Sequence, residues 1–279
     1  SSDVCSSDLY GFCNMMLRLI DEHPHDKILI ILDAGKNTFR NTLYSEYKAN
    51  RSEAPEDLIP QFGIIREAID AFGLDVIEKK DFEADDIIAS YVRYGEENKI
   101  PTTVFSSDKD LFQLLSANTR IMDPMKNVEI DEAKVMDKFG VGPDKITDVP
   151  ALIGDSVDNI PGVPGIGPKT ALQLIEEFGD VQSLIKNANK ISQENRRNAI
   201  LDNTREILIS LELVKLKKDI NIPVKIDDIH SYSSIDKNEK LSEFLSNQGF
   251  KSIAERLKNN SFINTRSEKK SKEKKLKKN

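Results

Sequence analysis

The sequence has no long apolar run, little cysteine and little histidine. No stretch of eighteen apolar residues occurs among the 279, so no segment is suited to cross a membrane as a helix. The start carries no basic region followed by an apolar run, so no secretory leader is visible. The two cysteines, Cys5 and Cys13, show no metal-ligand spacing and fit a reducing, cytoplasmic setting. The three histidines, His23, His25 and His230, are scattered and read as surface or loop residues, not as a zinc centre. No Ser-His-Asp or Cys-His set is apparent, which removes the common nucleophilic hydrolases.

What is present is charge. Charged residues make up 31% of the chain and hydrophobic ones 38%, which suits a globular protein of one large domain or two ordinary ones. The formal net charge of -7 hides an asymmetry. Residues 264–279 hold eight basic side chains against two acidic ones, leaving -13 on the other 263 residues. An acidic body does not by itself suggest nucleic-acid binding. Scattered acids would solvate a surface, whereas gathered acids need counter-ions, usually metals.

Residues 1–9, SSDVCSSDL, show no periodicity and read as disordered or foreign to the fold. A helix begins near Tyr10, with Phe12, Met16, Leu19 and Ile20 on one face. The Ile/Leu run 27–32 suggests a strand buried on both faces. Leu58, Phe62, Ile65, Ile69 and Phe72 mark an amphipathic helix, with Pro60 kinking its first turns. Segments 74–78 and 102–105 read as strands and 83–98 as a helix. This alternation predicts an α/β domain over 10–142 with a mixed, mostly parallel sheet flanked by helices. After 143 the strands stop. A helical subdomain covers 143–220, broken by a Gly/Pro-rich segment at 159–169. A connector with short helices covers 221–263, and the lysine-rich tail 264–279 reads as disordered.

Acidic groups fall at element ends. Asp33 follows the first strand, and Glu83, Asp85 and Asp86 open a helix. Asp108 and Asp110 follow the strand ending at Phe105, and Asp155 and Asp158 lie in Gly154-Asp-Ser-Val-Asp-Asn159. Each group alone has an ordinary explanation as a helix cap or turn residue. Together on one edge they would repel and raise each other's pKa unless cations neutralise them. Oxygen ligands without His or Cys favour magnesium or manganese, and paired metals of this kind cut phosphodiesters.

A strip of cations and aromatics follows Asp33. Lys36, Arg40, Lys48 and Arg51 alternate with Phe39, Tyr44 and Tyr47, a pattern suited to phosphates and stacked bases. The turn Gly162-Val-Pro-Gly-Ile-Gly-Pro-Lys-Thr170 is not a nucleotide P-loop, because Pro168 separates Gly167 from Lys169 and no strand precedes it. It joins two helical patterns. Gly162, Gly165 and Gly167 allow a tight turn, and Lys169 and Thr170 open a helix whose amides suit a phosphate. This is a helix-hairpin-helix signature; an ordinary tight inter-helix turn is the alternative.

Six motifs in order resemble bacterial 5'-3' exonucleases: Asp-Ala-Gly-Lys with Phe-Arg, Glu-Tyr-Lys-Ala-Asn-Arg, Glu-Ala-Asp-Asp, Ser-Ser-Asp-Lys-Asp, Gly-Asp-Ser-Val-Asp-Asn and Pro-Gly-Ile-Gly-Pro-Lys-Thr. That family comprises the N-terminal domain of DNA polymerase I and stand-alone flap endonucleases. The resemblance implies a PIN-like nuclease core, a helix-hairpin-helix subdomain, and hydrolysis of DNA with 5' flaps or nicks and of RNA primers. It implies two Mg2+ ions, or Mn2+, with Asp33, Glu83, Asp85 and Asp86 nearer the first and Asp108, Asp110, Asp155 and Asp158 nearer the second. Lys48 resembles the catalytic lysine of a helical arch at about 36–57. Arg51 and Arg40 would contact phosphate there, beside Lys36 and Tyr47. The Gly/Pro turn would grip duplex DNA and hold a K+ ion.

One departure matters. The family opens with an apolar strand ending in another ligand Asp, where this chain has SSDVCSSDL. Asp3 and Asp8 follow no apolar strand and are not mapped onto that ligand. An incomplete N-terminus, a sheet one strand short and weak activity are therefore expected. The resemblance also implies a monomer in the bacterial cytoplasm, at the nucleoid, with a polymerase domain in cis or in trans. The alternatives are a catalytically impaired DNA-structure binder, a fragment of DNA polymerase I, and a PIN-type ribonuclease.

Overall fold

The structure is a computed structural model that describes residues 2–23, 26–51, 59–229 and 238–258. In chain order the elements are α1 (Ser2–Glu22), β1 (Leu29–Ile31), α2 (Phe39–Leu43), α3 (Ile59–Phe72), β2 (Asp75–Ile77), α4 (Ala84–Glu97), β3 (Thr102–Phe105), β4 (Thr119–Asp123), β5 (Val128–Ile130), α5 (Glu132–Phe139), α6 (Asp148–Ile153), α7 (Pro168–Phe178), α8 (Val181–Lys186), α9 (Glu194–Asp202), α10 (Thr204–Val214), α11 (Asn238–Asn247) and α12 (Lys251–Lys258). They fall into two compact units. One is Ser1–Ile30, Glu53–Ile77 and Pro223–Asn279; the other is Ile31–Ser52 and Glu78–Ile222.

In the first unit α3 packs on α1 and α11. Helix α1 starts at Ser2, so the opening segment runs into the first helix instead of standing apart. Its buried stripe is Leu9, Cys13, Met16, Leu17 and Ile20, at three- and four-residue spacing. Phe12 and Leu19, expected on that face, are only half-buried. Tyr10 meets Phe250 edge-to-face at 5.2 Å. In α3 the inward residues are Gln61, Ala68, Ile69, Ala71 and Phe72, whereas Phe62 is 49% exposed. Pro60 is the second residue of α3, where an amide has no intrahelical partner, so it opens the helix without interrupting it. Leu58 lies outside the described residues, as do His25, His230 and the tail 264–279. Strands β1 and β2 form a two-stranded sheet, and β1 is half-buried throughout. The expected strand buried on both faces is not found there: all three of its residues are only half-buried.

The second unit holds a three-stranded sheet. β3 pairs with β4 in parallel, from Thr102↔Thr119 to Phe105↔Met122, and β5 returns antiparallel. The sheet is mixed, as the pattern suggested, but β4 and β5 were not anticipated. Helix α4 packs Ala89 and Val92 against Val104, Leu111, Phe112, Ile121 and Val135. Beyond Asp148 the elements are all helical, around Ala151, Leu152, Ile175, Val181, Leu184, Ile200 and Ile207. Among the described residues no helix is long and apolar enough to cross a membrane.

Two glycines lock the start of the helical part. Gly154 has φ +79° and Gly162 φ +60°, a region that side chains with a Cβ disfavour. A Cβ on Gly162 would lie 2.3 Å from the Gly154 nitrogen and 2.5 Å from the Ile153 carbonyl oxygen. Gly162→Ala is expected to cost about 3 kcal/mol or more, from overpacking and strain together. Gly165 also has a positive φ, +81°, but nothing within 4 Å of the added atom. Gly165→Ala should cost only the backbone term, about 1–2 kcal/mol. Urea unfolding of both variants checks the ordering.

Candidate active site

The acids of the second unit meet at one cavity of about 150 Å³. It is lined by Asp33, Glu83, Asp85, Asp108, Asp110 and Asp158, with Arg40, Tyr47, Lys48 and Arg51. Local chemistry explains each placement. The Asp33 Oδ1 accepts from the Ala84 amide at 2.7 Å, capping α4 from a distant segment. Glu83 is the N-cap residue of α4, and Asp85 sits in its first turn. The Asp108 Oδ1 accepts from the Asp110 amide at 2.9 Å and caps the tight helical turn Lys109–Leu114. Asp158 comes from the loop closed by paired backbone bonds between Asp155 and Ile160.

These carboxylates act on one another. Burial pushes the Asp85 carboxyl up to about 7, and Asp108, Glu83, Asp110 and Asp33 push in the same direction. Asp110 rises to about 6, chiefly through burial and Asp108, with Lys109 opposing. Side-chain cations offset part of the charge. Lys48 pairs with Glu83 at 2.8 Å and Arg51 with Asp158 at 2.6 Å. Among the described residues no three acidic, His or Cys side chains converge tightly enough to form a ready-made metal cage. The acids line a cavity without closing on a point.

The strip after Asp33 differs most from expectation. Arg40, expected on phosphate, is 1% exposed. Its guanidinium binds both Asp86 oxygens, at 2.6 and 2.8 Å, and the Leu213 and Lys215 carbonyls, at 2.8 and 3.1 Å. Asp86, expected as a metal ligand, is 0% exposed and also accepts from the Lys217 amide at 2.9 Å. Its oxygens are fully occupied by protein donors, so both residues belong to the scaffold. Tyr47, expected to stack on a base, is 5% exposed and packs on Ile160 and Leu213. Its hydroxyl donates to Glu83 at 3.4 Å, and burial raises the phenol above its usual range.

Among the described residues the expected arch is helical only at α2, Phe39–Leu43. Residues 45–50 form turns, with Lys48 at φ +56° and its amide on the Asp158 carbonyl at 2.9 Å. Residues 52–57 lie outside the described residues. Lys36 is exposed and not part of the cavity lining. Asp155 is also absent from the lining: its Oδ1 accepts from the Val157 and Asp158 amides at 2.7 and 3.3 Å, shaping its own loop. Asn41 and Asn159, which the sequence reading missed, pin this region. Their side-chain amides donate to the Tyr47 and Glu46 carbonyls, at 3.0 and 2.8 Å. An Asn three residues into a helix capped by Thr38 was a visible capping-box signal. Nothing local marked Asn159.

In the Gly/Pro turn Gly162 is buried, whereas Gly165, Gly167 and Lys169 are exposed. Gly167 is the N-cap residue of α7 and Pro168 its first residue. Lys169 and Thr170 follow in the first turn, where the Thr170 and Ala171 amides donate to the Gly167 carbonyl at 3.0 and 2.9 Å.

Comparison with known proteins agrees with this architecture. Residues 2–140 match the family described as "5'-3' exonuclease, N-terminal resolvase-like domain", and residues 141–238 match "5'-3' exonuclease, C-terminal SAM fold". The chain is 48% identical over 224 residues to DNA polymerase I of Rhizobium leguminosarum, covering 78% of this chain but 22% of that protein. It therefore spans about a fifth of that relative's length. Among solved structures, T5 5'-exonuclease with bound divalent metal ions (zinc) aligns at TM-score 0.64 with 22% identity, over 88% of this chain and 90% of that one. The catalytic core of Rad2 in complex with DNA substrate aligns at 0.61 with 13% identity, over 90% and 84%. At such identities these two show the fold alone. With the 5'-3' exonuclease of Aquifex aeolicus the identity is 35% over 221 residues, covering 79% of this chain and 75% of that protein. With both of its segments matched in order, the chain belongs to the 5'-3' exonuclease family.

Proposed function

We propose that this chain is a divalent-metal-dependent 5' nuclease that cuts DNA at 5' flaps and nicks and removes RNA primers. The observation that carries the proposal is the cavity at which six carboxylates meet Lys48 and Arg51. The donor set is all oxygen, which fits magnesium or manganese. The open spacing fits as well, because Mg2+ usually binds through one or two carboxylates plus waters and substrate phosphates. Asp33, Glu83 and Asp85 would lie nearer one ion, and Asp108, Asp110 and Asp158 nearer the other. Such ions lower the pKa of an attacking water and stabilise the departing oxygen.

The chain's own groups supply the remainder. Lys48, on a turn fixed by the Asp158 carbonyl, places an ammonium at the carboxylate edge, where the scissile phosphate would lie. Arg51 is half-exposed beside Asp158 and suits an adjacent phosphate. Gly165, Gly167, Lys169 and Thr170 offer an exposed turn and helix start to a duplex backbone. That turn is also our candidate place for a potassium ion. We place the protein as a monomer in the bacterial cytoplasm, working with a polymerase domain in cis or in trans.

A labelled 5'-flap DNA incubated with the chain should be cut in Mg2+ and not in EDTA. Binding of the flap without metal-dependent cutting would overturn the proposal in favour of a DNA-structure binder. Lys48→Ala should lower cutting at saturating flap by about a hundredfold or more, the scale of one lost charge-stabilising donor, with flap binding changed far less.

A further inference from the structure

Residues 213–220, the end of α10 and the segment that leaves it, form a strap with no strand partner among the described residues. Several of its backbone polar groups are met by side chains. Arg40 donates to the Leu213 and Lys215 carbonyls, at 2.8 and 3.1 Å. The Lys217 amide donates to Asp86 at 2.9 Å, and the Ile220 amide to the Ser90 hydroxyl at 3.2 Å. Gln113 meets others. Its Nε2 donates to the Val214 carbonyl at 3.2 Å, and its Oε1 accepts from the Leu216 amide at 3.1 Å. The same Nε2 also donates to the carbonyl of Asp110 at 2.9 Å.

The strap is thereby tied to both acid-bearing elements. At one end Asp86 adjoins Asp85 on α4. At the other, Gln113 reaches back to Asp110. Leu213, Val214 and Leu216 themselves wall the acidic cavity. Leu216, Gln113, Lys215 and Lys218 also border a second, open cavity of about 350 Å³.

We propose that Gln113 is a positioning residue for Asp110: one side-chain amide ties the Asp110 turn to the strap and so sets the separation between the Asp108/Asp110 and Glu83/Asp85 groups. The proposal rests on the metal-dependent reading above. The role needs a group that both donates and accepts. A leucine does neither, and a glutamate keeps only the acceptor for Leu216. Partners that orient metal ligands from behind are typically worth ten- to a hundredfold in metal affinity or activity.

Mn2+ serves as the probe, with free ion counted by electron paramagnetic resonance on the purified chain. Gln113→Leu should weaken Mn2+ binding about ten- to a hundredfold and lower kcat at saturating flap by the same order, with KM for the flap unchanged. Gln113→Glu should also weaken binding. Its added charge alone would tighten it, so loss there reports geometry. Asn118→Ala removes a comparable amide, bonded to the Ile100 carbonyl at 2.8 Å but remote from the acids, and should leave Mn2+ affinity as it is. Folded Gln113 variants that bind Mn2+ like the wild type would overturn the proposal. So would an equal weakening in Asn118→Ala. Wild-type chain that neither binds Mn2+ nor cuts flap in it defeats the metal reading itself and the role of Gln113 with it.

Discussion

Asp85→Asn should reduce flap cutting by about a thousandfold and at the same time make the metal-free protein more stable at pH 8. The first effect follows from the proposed metal role, in which Asp85 would hold an ion worth several kcal/mol of charge stabilisation. The second follows from the raised carboxyl. Asp85 titrates near 7 in the folded chain against 3.8 ordinarily, so the folded state holds this proton more tightly. The stability contribution of the group therefore falls as pH rises from about 4 to about 7. Above that window the ionised carboxylate opposes folding, and an uncharged isostere relieves it. Below about pH 4 the carboxyl is protonated in both states and the two proteins should melt alike. Thermal melts in EDTA at pH 4 and pH 8, beside a flap assay in Mg2+, give the outcome. A variant that loses activity and also melts lower at pH 8 would show that Asp85 supports the fold and not the chemistry.

Arg40→Ala should be the most damaging single change in the second unit. It leaves the Asp86 carboxylate, which is 0% exposed, without its bidentate partner. Breaking a buried ion pair from one side costs about 3–5 kcal/mol. Two strap carbonyls lose their donor as well. Arg40→Lys should recover little, because an ammonium cannot reproduce the planar fork that meets a carboxylate and two carbonyls together. Urea midpoints of the two variants test this. If Arg40→Ala unfolds like the wild type but binds flap DNA much more weakly, Arg40 contacts phosphate after all.

The contrast between Arg40 and Lys48 shows what the sequence made legible. The four acidic groups could be found because each follows from a local rule: a strand end, an N-cap, a first helical turn. Glu83-Ala-Asp-Asp86 announced α4 without further context. Which of those acids faces the cavity was not legible. Asp85 and Asp86 are neighbours, yet one helical step turns Asp86 inward to an arginine 46 residues away in the chain. The cations of the strip looked alike for the same reason. Arg40, Lys48 and Arg51 separate only once α10 and its strap supply carbonyls to one of them. Tyr47 carried an interleaved aromatic signal and was buried by Ile160 and Leu213, which sequence places far off. Strands β4 and β5 are five and three residues long, and the burial alternation in β4 was too brief to outweigh its polar ends. Phe62 failed differently: in α3 small alanines face the core, and the larger ring is left outside.

The pressed pair Gly154 and Gly162 bounds a segment that carries both Asp158 and the approach to the exposed turn. On the proposed reading, cutting and gripping would be two faces of this one short segment. On that reading, drift at either glycine would displace acid and anchor together, so a hold on duplex could not be relaxed at these positions without moving the acid. Separation of the two tasks, by evolution or by an experimenter, has to occur at the tips, at Lys169 or at Asp158, where a side chain can change while the shared spine stays still.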